Sequence, residues 1–244
     1  MTKEQELTRS IIRAKLFYHA CIGSNIHVTE LLVSKNCDIN QVENEGMAPL
    51  MVVCTKGCLP IVELLLRHDA DIRVVSKDGR TSFFSSCIGG NIDIINLLIT
   101  NACDINKPHN NGMSPLMEAC GKRYLSIVKC LIEKGIDINI ENKDGQTARY
   151  WSCVGGNVDV VSLLIDKRCD VLQIDKSGTS VLMQACGKGH LSTVELLLRK
   201  GVDINQSNNT GQTPFYFACI GGNIDIFNLL ITNGCNIHKT DIRG

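Results

Sequence analysis

The sequence lacks the features that place a protein in a membrane or on a nucleic acid. No apolar run approaches the roughly 18 residues needed to cross a bilayer, and the first twelve residues contain no signal-peptide apolar region. Lys plus Arg and Asp plus Glu number 25 each in 244 residues, so the formal net charge is zero. The basic excess of a general nucleic-acid binder is therefore missing. We predict a protein of the cytoplasm or nucleus, with neither a membrane nor a nucleic acid as its partner.

Residue patterns of a catalytic or metal site are also missing. The 13 cysteines include no Cys-x-x-Cys pair, and the 6 histidines form no shared set with Cys, Asp or Ser. The glycine pairs Gly89-Gly90, Gly155-Gly156 and Gly221-Gly222 lack the Lys-Ser/Thr of a phosphate-binding loop. We therefore predict no enzymatic activity, cofactor, metal or small-molecule substrate.

What the chain does contain is a repeat of 33 residues, marked by a glycine, a cysteine and an aspartate series. The glycines are Gly46, Gly79, Gly112, Gly145, Gly178, Gly211 and Gly244. The cysteines are Cys21, Cys54, Cys87, Cys120, Cys153, Cys186 and Cys219. The aspartates are Asp38, Asp71, Asp104, Asp137, Asp170 and Asp203, continued by Asn236. The units are 10–42, 43–75, 76–108, 109–141, 142–174, 175–207 and 208–240, after an extension at 1–9 and before the start of a further unit at 241–244.

Each unit predicts two short helices, as unit 208–240 illustrates. Thr213 can cap a helix whose first position is Pro214, and the helix runs through Phe215–Cys219 until Gly221-Gly222 breaks it. A second helix is predicted from apolar residues at helical spacing: Ile224, Phe227, Leu230 and Ile231. One such unit cannot bury its own apolar face, so stacking between neighbours must form the core.

The units resemble the ankyrin repeat over about residues 10–240. The resemblance rests on Gly211-Gln212-Thr213-Pro214-Phe215, on Gly189-His190-Leu191 followed by Val194-Glu195-Leu196-Leu197-Leu198, and on Gly201-Val202-Asp203-Ile204-Asn205. It implies an all-α solenoid, a right-handed curved stack of seven helix-turn-helix units with hairpin-like connections. It also implies a scaffold or adaptor that binds a partner protein on its concave face and hairpin tips.

Two departures from the family pattern carry expectations. The histidine that ties neighbouring ankyrin repeats together is replaced by Met51, Phe84, Met117, Tyr150, Met183 and Tyr216. We expect packing to substitute for its hydrogen bond and the rigidity between helix and loop to fall. Arg123 stands where a glycine usually separates the helices, which predicts an altered turn in unit 109–141. Alternate units are more alike than neighbours, so the true module is a pair of 66 residues.

Candidate binding residues fall into two groups. The hairpin tips place Lys77, Asp78, Lys143, Asp144 and Lys176 on a polar rim, as a recognition surface requires. The position two residues before the repeated cysteine holds polar residues in several units. Trp151 and Phe217 occupy this position in their units and are therefore expected to be exposed. Together with Arg149 and Tyr150 they form the aromatic and cationic candidates for anchoring a partner. The alternative is that Trp151 packs between repeats while Arg149 extends along it.

Other recurring residues have structural explanations. The periodic cysteines occupy a position where ankyrin repeats place a small buried residue, so packing is expected. Asp93, Asp159 and Asp225 lie in the first turn of a helix, where acids interact favourably with the helix dipole. Lys56, Lys122 and Lys188 recur near the turn of alternate units, either as solvated lysines or as a basic stripe for an acidic partner.

A second function class remains open at this stage. The chain stops four residues into a further unit without a polar capping repeat, which fits a targeting or regulatory part of a larger multidomain enzyme or channel. Apolar residues of the last complete unit, such as Phe227 and Leu230, would then be exposed.

Overall fold

The computed structural model describes residues 3–43, 45–167 and 173–237. The expected start of a further unit at 241–244 lies outside these residues, as does the periodic residue Asp170. Within the described part, helices account for all regular structure apart from one isolated bridge between Ile174 and Ser180. The predicted all-α repeat fold is therefore confirmed.

The chain divides into two compact units, Met1–Asn110 and Asn111–Gly244. The helices of the first unit are α1 (Lys3–Ile22), α2 (Ile26–Ser34), α3 (Pro49–Lys56), α4 (Leu59–Arg67), α5 (Ser82–Gly89) and α6 (Ile92–Thr100). The helices of the second are α7 (Pro115–Gly121), α8 (Leu125–Glu133), α9 (Ala148–Gly155), α10 (Val158–Asp166), α11 (Val181–Gly187), α12 (Leu191–Arg199), α13 (Pro214–Gly221) and α14 (Ile224–Thr232). The segment 1–9 was expected to be a separate extension. Its described residues, from Lys3 onward, instead form the beginning of α1.

The helices of each unit pack in two rows. In the second unit the first helices of successive repeats stack as α7, α9, α11 and α13, while the second helices stack as α8, α10, α12 and α14. The first unit follows the same order, with α3 against both α1 and α5. Apolar residues at helical spacing thereby bury one side of each helix pair, which no single repeat could do alone.

Capping residues set where the helices begin. Thr213 Oγ1 accepts a hydrogen bond from Tyr216 N, and Pro214 occupies the first position of α13, as predicted. The second helices of alternate repeats begin after an asparagine instead. Asn91, Asn157 and Asn223 each accept two backbone N–H bonds from the first turn of α6, α10 and α14. The acids predicted for that turn, Asp93, Asp159 and Asp225, are exposed there.

The periodic cysteines serve as packing residues in six of the seven positions. Cys21, Cys54, Cys87, Cys120, Cys153 and Cys186 are fully buried, whereas Cys219 is exposed. Burial raises the pKa of the Cys153 and Cys186 thiols to about 12, so these side chains stay protonated at neutral pH. The exposure of Cys219 corrects the expectation of uniform burial. No further repeat covers α13 within the described residues.

The periodic aspartates shape the loop that follows each second helix. Oδ1 of Asp38, Asp104, Asp137 and Asp203 accepts the backbone N–H two residues further on. This local bond fixes a turn at the same place in each of these four repeats. The aspartate series is thus structural.

Candidate functional site

The hairpin tips of neighbouring repeats are joined by main-chain hydrogen bonds. The N–H of one tip residue donates to a carbonyl oxygen of the preceding tip, in both compact units and with the same register. The bonds are Lys77 to Glu45 at 2.9 Å, Asn110 to Asp78 at 2.8 Å, Lys143 to Asn111 at 3.0 Å, Lys176 to Asp144 at 2.8 Å and Asn209 to Ser177 at 2.9 Å. We call this set of bonds the tip ladder.

Side chains add further bonds to the tip ladder. Asn110 Nδ2 donates to the Lys77 carbonyl at 2.7 Å, and Asn209 Nδ2 donates to that of Lys176 at 3.0 Å. Lys176 Nζ lies 2.6 Å from the Lys143 carbonyl oxygen. The connections between tips are therefore held in one geometry, although their outer surface is in water.

All five predicted tip residues, Lys77, Asp78, Lys143, Asp144 and Lys176, are exposed. Asp78 is the most constrained, since Arg80 Nε lies 2.8 Å from its Oδ2 and Ser76 Oγ donates to its Oδ1. Burial alone would raise the pKa of the Asp78 carboxyl, but the Ser76 hydrogen bond and the Arg80 charge outweigh it and lower that pKa. Asp78 therefore presents a fixed negative charge at its tip.

Arg149 and Tyr150 are not where the sequence analysis expected them. Arg149 is 1% exposed and Tyr150 3% exposed, so neither side chain lies on the surface where the two were proposed to anchor a partner. Arg149 occupies the core position of α9 that is filled by Leu50, Phe83, Leu116 and Leu182 in other repeats, all at most 2% exposed. Neither side chain can reach a partner on the surface of the folded chain.

Tyr150 instead ties its repeat to the next one. Its hydroxyl donates to Asp175 Oδ2 at 2.9 Å, across 25 positions of sequence. Phe84 and His109 have the same spacing in the first unit, where their rings meet edge to face at a centroid distance of 5.2 Å. The expected loss of rigidity after replacement of the family histidine is thus offset at these two repeats by other contacts.

Trp151 and Phe217 are half-buried, and each lies over a glycine of the preceding repeat. A Cβ added to Gly121 would stand 3.3 Å from Trp151 Cε3, and one added to Gly187 would stand 3.1 Å from Phe217 Cδ1. The alternative that Trp151 packs between repeats is therefore observed. Part of each ring remains exposed at the surface of the first-helix row.

The turns between the two helices of each repeat form a second series of contacts in the second unit. Asn157 Nδ2 donates to the Arg123 carbonyl at 3.4 Å, and Asn223 Nδ2 donates to that of Gly189 at 3.3 Å. His190 Nε2 lies 3.0 Å from the Val154 carbonyl oxygen, which gives this histidine the structural role expected of it. We call this series the turn ladder.

Arg123 adopts the backbone conformation of the glycine it replaces. Its φ of 69° is left-handed and matches Gly57 at 67° and Gly189 at 74°, the equivalent residues of alternate repeats. The predicted altered turn is therefore wrong, because the turn keeps its geometry and Arg123 takes up the strain.

One cavity among the described residues is lined by charged side chains and by two hydroxyl- or thiol-bearing residues. This cavity of about 230 Å³ in the first unit is lined by Ile72, Arg73, Thr81, Phe83, Ala102, Cys103, Asp104 and Lys107. Thr81 Oγ1 already caps α5, and burial is the main cause that raises the pKa of Cys103 to about 12. The cavity thus offers no activated nucleophile. Among the described residues no cluster of three or more His, Cys, Asp or Glu has metal-binding geometry, and no helix is long and apolar enough to cross a membrane.

The last described repeat exposes apolar residues whose equivalents in repeat 142–174 are packed into the core. Ile220 is 67% exposed and Ile224 64% exposed, whereas the equivalent Val154 and Val158 pack into the core of the second unit. Leu230 is fully buried and Phe227 half-buried, so the expectation that these two would be exposed is not met.

Comparison with known proteins identifies the repeat. A family model described as ankyrin repeats in three copies matches residues 12–76, 68–142, 116–208 and 168–241. No curated protein matches the chain significantly.

Proposed function

Because the chain belongs to the ankyrin-repeat family, we propose that it binds a partner protein, as a scaffold or adaptor, through its hairpin tips and the exposed edge of its first helices. Ankyrin repeats are in general protein–protein interaction modules. The single observation that supports this role most directly is the tip ladder, since it holds variable, exposed side chains on a main chain that is already ordered.

Order in the free protein matters because binding is opposed by the entropy lost when loops and side chains become fixed, about 0.5–1.5 kcal/mol for each flexible side chain. A tip whose main chain is bonded on both sides has already lost most of this freedom on folding. Lys143, Asp144 and Lys176 can then contribute charge contacts at a lower ordering cost.

The binding residues we propose are the tip residues Lys77, Asp78, Lys143, Asp144 and Lys176, together with the exposed edges of Trp151 and Phe217. Arg149 and Tyr150 are left out because they are buried. Their role is to support the surface, since the Tyr150 hydroxyl holds the base of the hairpin that carries Lys176.

We also propose that the chain has no catalytic activity and acts in the cytoplasm or nucleus. Each pKa shift found among the cysteine thiols is upward, which disfavours the reactive thiolate, and no activated nucleophile lines the cavity of the first unit. The described cysteines are all free, which suits a reducing compartment.

A photo-crosslinking experiment tests the proposed surface. A benzoylphenylalanine residue is placed at Lys143 or Lys176 on the tips, and at Lys129 or Lys167 as exposed controls on the second-helix side. We expect discrete protein adducts in cells from the tip positions and none of the same mass from the controls. Equal adducts from both sets, or none from the tips, would contradict the proposal.

A second candidate, targeting or regulation of a larger enzyme or channel, is favoured by the uncovered apolar residues Ile220 and Ile224. An exposed apolar patch is a site where another folded element can pack. The same crosslinker placed at Ile220 distinguishes the two roles. An adduct with an enzyme or channel formed there, and not at the tips, would favour this candidate.

A further inference from the structure

Exposed charges are unevenly distributed on the second unit (Asn111–Gly244). Its tips and the turns between its helices carry five exposed basic residues: Lys122, Arg123, Lys143, Lys176 and Lys188. The exposed acids of the described residues in or directly beside these tips and turns are fewer, namely Asp144 and Glu141, which precedes Lys143 by two residues. The second helices mix both signs, with exposed acids such as Asp159 and Asp166 beside Lys129 and Lys167. A chain with no net charge thus presents a locally basic surface.

Few acidic side chains of the protein itself lie close enough to these basic residues to neutralise their charge. Glu118 Oε1 lies 3.9 Å from Lys122 Nζ, a distance at which an exposed pair is weak. Asp175 is half-buried and accepts the Tyr150 hydroxyl. No described residue forms an ion pair with Arg123 or Lys188. The positive charges therefore face solvent, where a negatively charged partner can reach them.

Arg123 places a cation at a turn position that other repeats of the same pattern fill with glycine. Glycine fits the left-handed conformation without strain, and Gly57 and Gly189 occupy the equivalent turns. A residue with a Cβ is strained there, as Arg123 is and as Ser24 is at the equivalent turn of the first repeat, at a φ of 52°. The backbone of Arg123 is held by Asn157, so the side chain extends from a fixed base.

Trp151 and Phe217 each pack on a glycine whose next residue in the chain is one of these lysines. The Trp151 ring packs on Gly121, which directly precedes Lys122 in the chain, and the ring is only half-buried. On the next module Phe217 packs on Gly187, which directly precedes Lys188. In both repeats the glycine under the aromatic ring is thus followed in the chain by an exposed lysine. This pairing of apolar and cationic groups suits a peptide that carries both acidic and apolar side chains.

We propose that the turn surface, defined as Lys122, Arg123 and Lys188 with the edge of Trp151, binds an acidic segment of the partner protein. This inference rests on the proposed function and names the chemistry of the partner. The first helices that join tips to turns have seven or eight residues, or about 12 Å at 1.5 Å per residue. An extended segment of about ten residues can therefore also reach Lys143 and Lys176.

An acidic peptide fits this surface better than a nucleic acid does. Asp159 and Asp225 follow the turn ladder in the first turns of α10 and α14, and Asp144 lies between the tip lysines. A continuous phosphate backbone would pass close to these carboxylates, whereas a peptide can place its acidic residues only opposite the cations.

The test measures binding of fluorescein-labelled decaglutamate by anisotropy, with the emission of Trp151, the single tryptophan of the chain, as a local reporter. Wild type is compared with Lys122→Glu/Arg123→Glu/Lys188→Glu and with a control, Lys129→Glu/Lys134→Glu/Arg199→Glu, which changes the net charge equally on the second-helix side. Circular dichroism establishes that each variant remains folded.

We expect wild type to bind decaglutamate with an affinity that falls as salt rises. The turn-surface variant should weaken binding at least about tenfold and the control less than about threefold. Equal weakening in both variants, no binding to wild type at low salt, or tighter binding of a decauridylate would overturn the inference. If the photo-crosslinking experiment gives adducts at the tips but decaglutamate does not bind, only the inference that the partner segment is acidic is overturned. If the tips give no adducts and decaglutamate does not bind, the proposed function is overturned as well.

Discussion

The indole ring of Trp151 lies over Gly121 of the preceding repeat, close enough that a Cβ on this glycine would stand 3.3 Å from Cε3 of the ring. Phe217 and Gly187 repeat the arrangement 66 residues later. Each aromatic side chain fills the space left by a missing side chain on its neighbour. The pairing explains why large residues occur at a position where other repeats hold Ser85, Glu118 or Gln184.

Replacement of Gly121 by valine should push the Trp151 ring outward. We expect Gly121→Val to lower the free energy of unfolding by about 2 kcal/mol, a typical cost of overpacking, and to shift the tryptophan emission to longer wavelength. Urea unfolding and fluorescence spectra measure both. Gly187→Val is the matched control, because it should destabilise similarly through Phe217 without changing the emission. An unchanged spectrum for Gly121→Val would contradict the contact.

Arg123 and Gly189 make a reciprocal pair for testing backbone strain. Arg123→Gly should raise the free energy of unfolding by about 1 kcal/mol, because a left-handed conformation strains every residue except glycine. Gly189→Arg should lower it by a similar amount. An added Cβ at Gly189 has only ordinary contacts, the nearest being Asn223 Nδ2 at 3.7 Å. Chemical denaturation measures the free energy of unfolding of both variants. If both substitutions change it in the same direction, the backbone of Arg123 is not strained.

The hydrogen bond from Tyr150 to Asp175 should make stability depend on pH. Burial raises the pKa of Asp175, but bonds from Ser177, Thr179 and Tyr150 lower it overall. A carboxyl whose pKa is lowered on folding stabilises the folded protein. The full contribution is present at pH values above the pKa of the unfolded chain, about 3.9, and it is lost as the pH falls through the lower pKa of the folded protein.

Tyr150→Phe should therefore cost about 1–2 kcal/mol at pH 7, as loss of a hydrogen bond to a charged group usually does, and less at about pH 2.5. Unfolding free energies at both pH values measure the difference. In an Asp175→Asn background the same substitution should have a smaller effect, which makes a double-mutant cycle the control. A cost independent of both pH and Asp175 would show that the bond contributes nothing.

Arg149 is expected to respond to substitution as a core residue. Arg149→Ala should destabilise the chain by about 3 kcal/mol, since it removes a large buried side chain. Arg149→Leu introduces the residue found at positions 50, 116 and 182 and should retain the fold with a smaller loss. Thermal unfolding compares the two variants. If Arg149→Ala were as stable as wild type, the side chain would not be part of the core.

The sequence predicted the repeat, the capping roles of Thr213 and Pro214 and the burial of most periodic cysteines, because each depends on periodicity or local geometry. It failed for Arg149, where charge was taken to mean exposure. The signal that would have prevented this error was present, since equivalent positions hold Leu50, Phe83 and Leu116. Packing register outweighs residue polarity at a fixed position of a stacked repeat.

Other features could not be predicted because they depend on tertiary contacts. The Tyr150 to Asp175 bond requires the next hairpin to fold back over α9, and only the coordinates show the 2.9 Å approach. The rings of Trp151 and Phe217 lie against glycines that precede them by 30 positions, a spacing without local meaning. The Arg123 turn was expected to change, whereas its contact with Asn157 keeps it in the glycine conformation.

The tip ladder has a consequence for substitutions in the hairpins. Its inter-repeat bonds join main-chain atoms, so side chains such as Lys143 and Asp144 can be exchanged without removing the main-chain bonds that order the hairpins. Substitutions at these positions are then nearly neutral for folding. Such a scaffold can change the chemistry of its exposed surface by single substitutions, while the buried core that supports the hairpins stays the same.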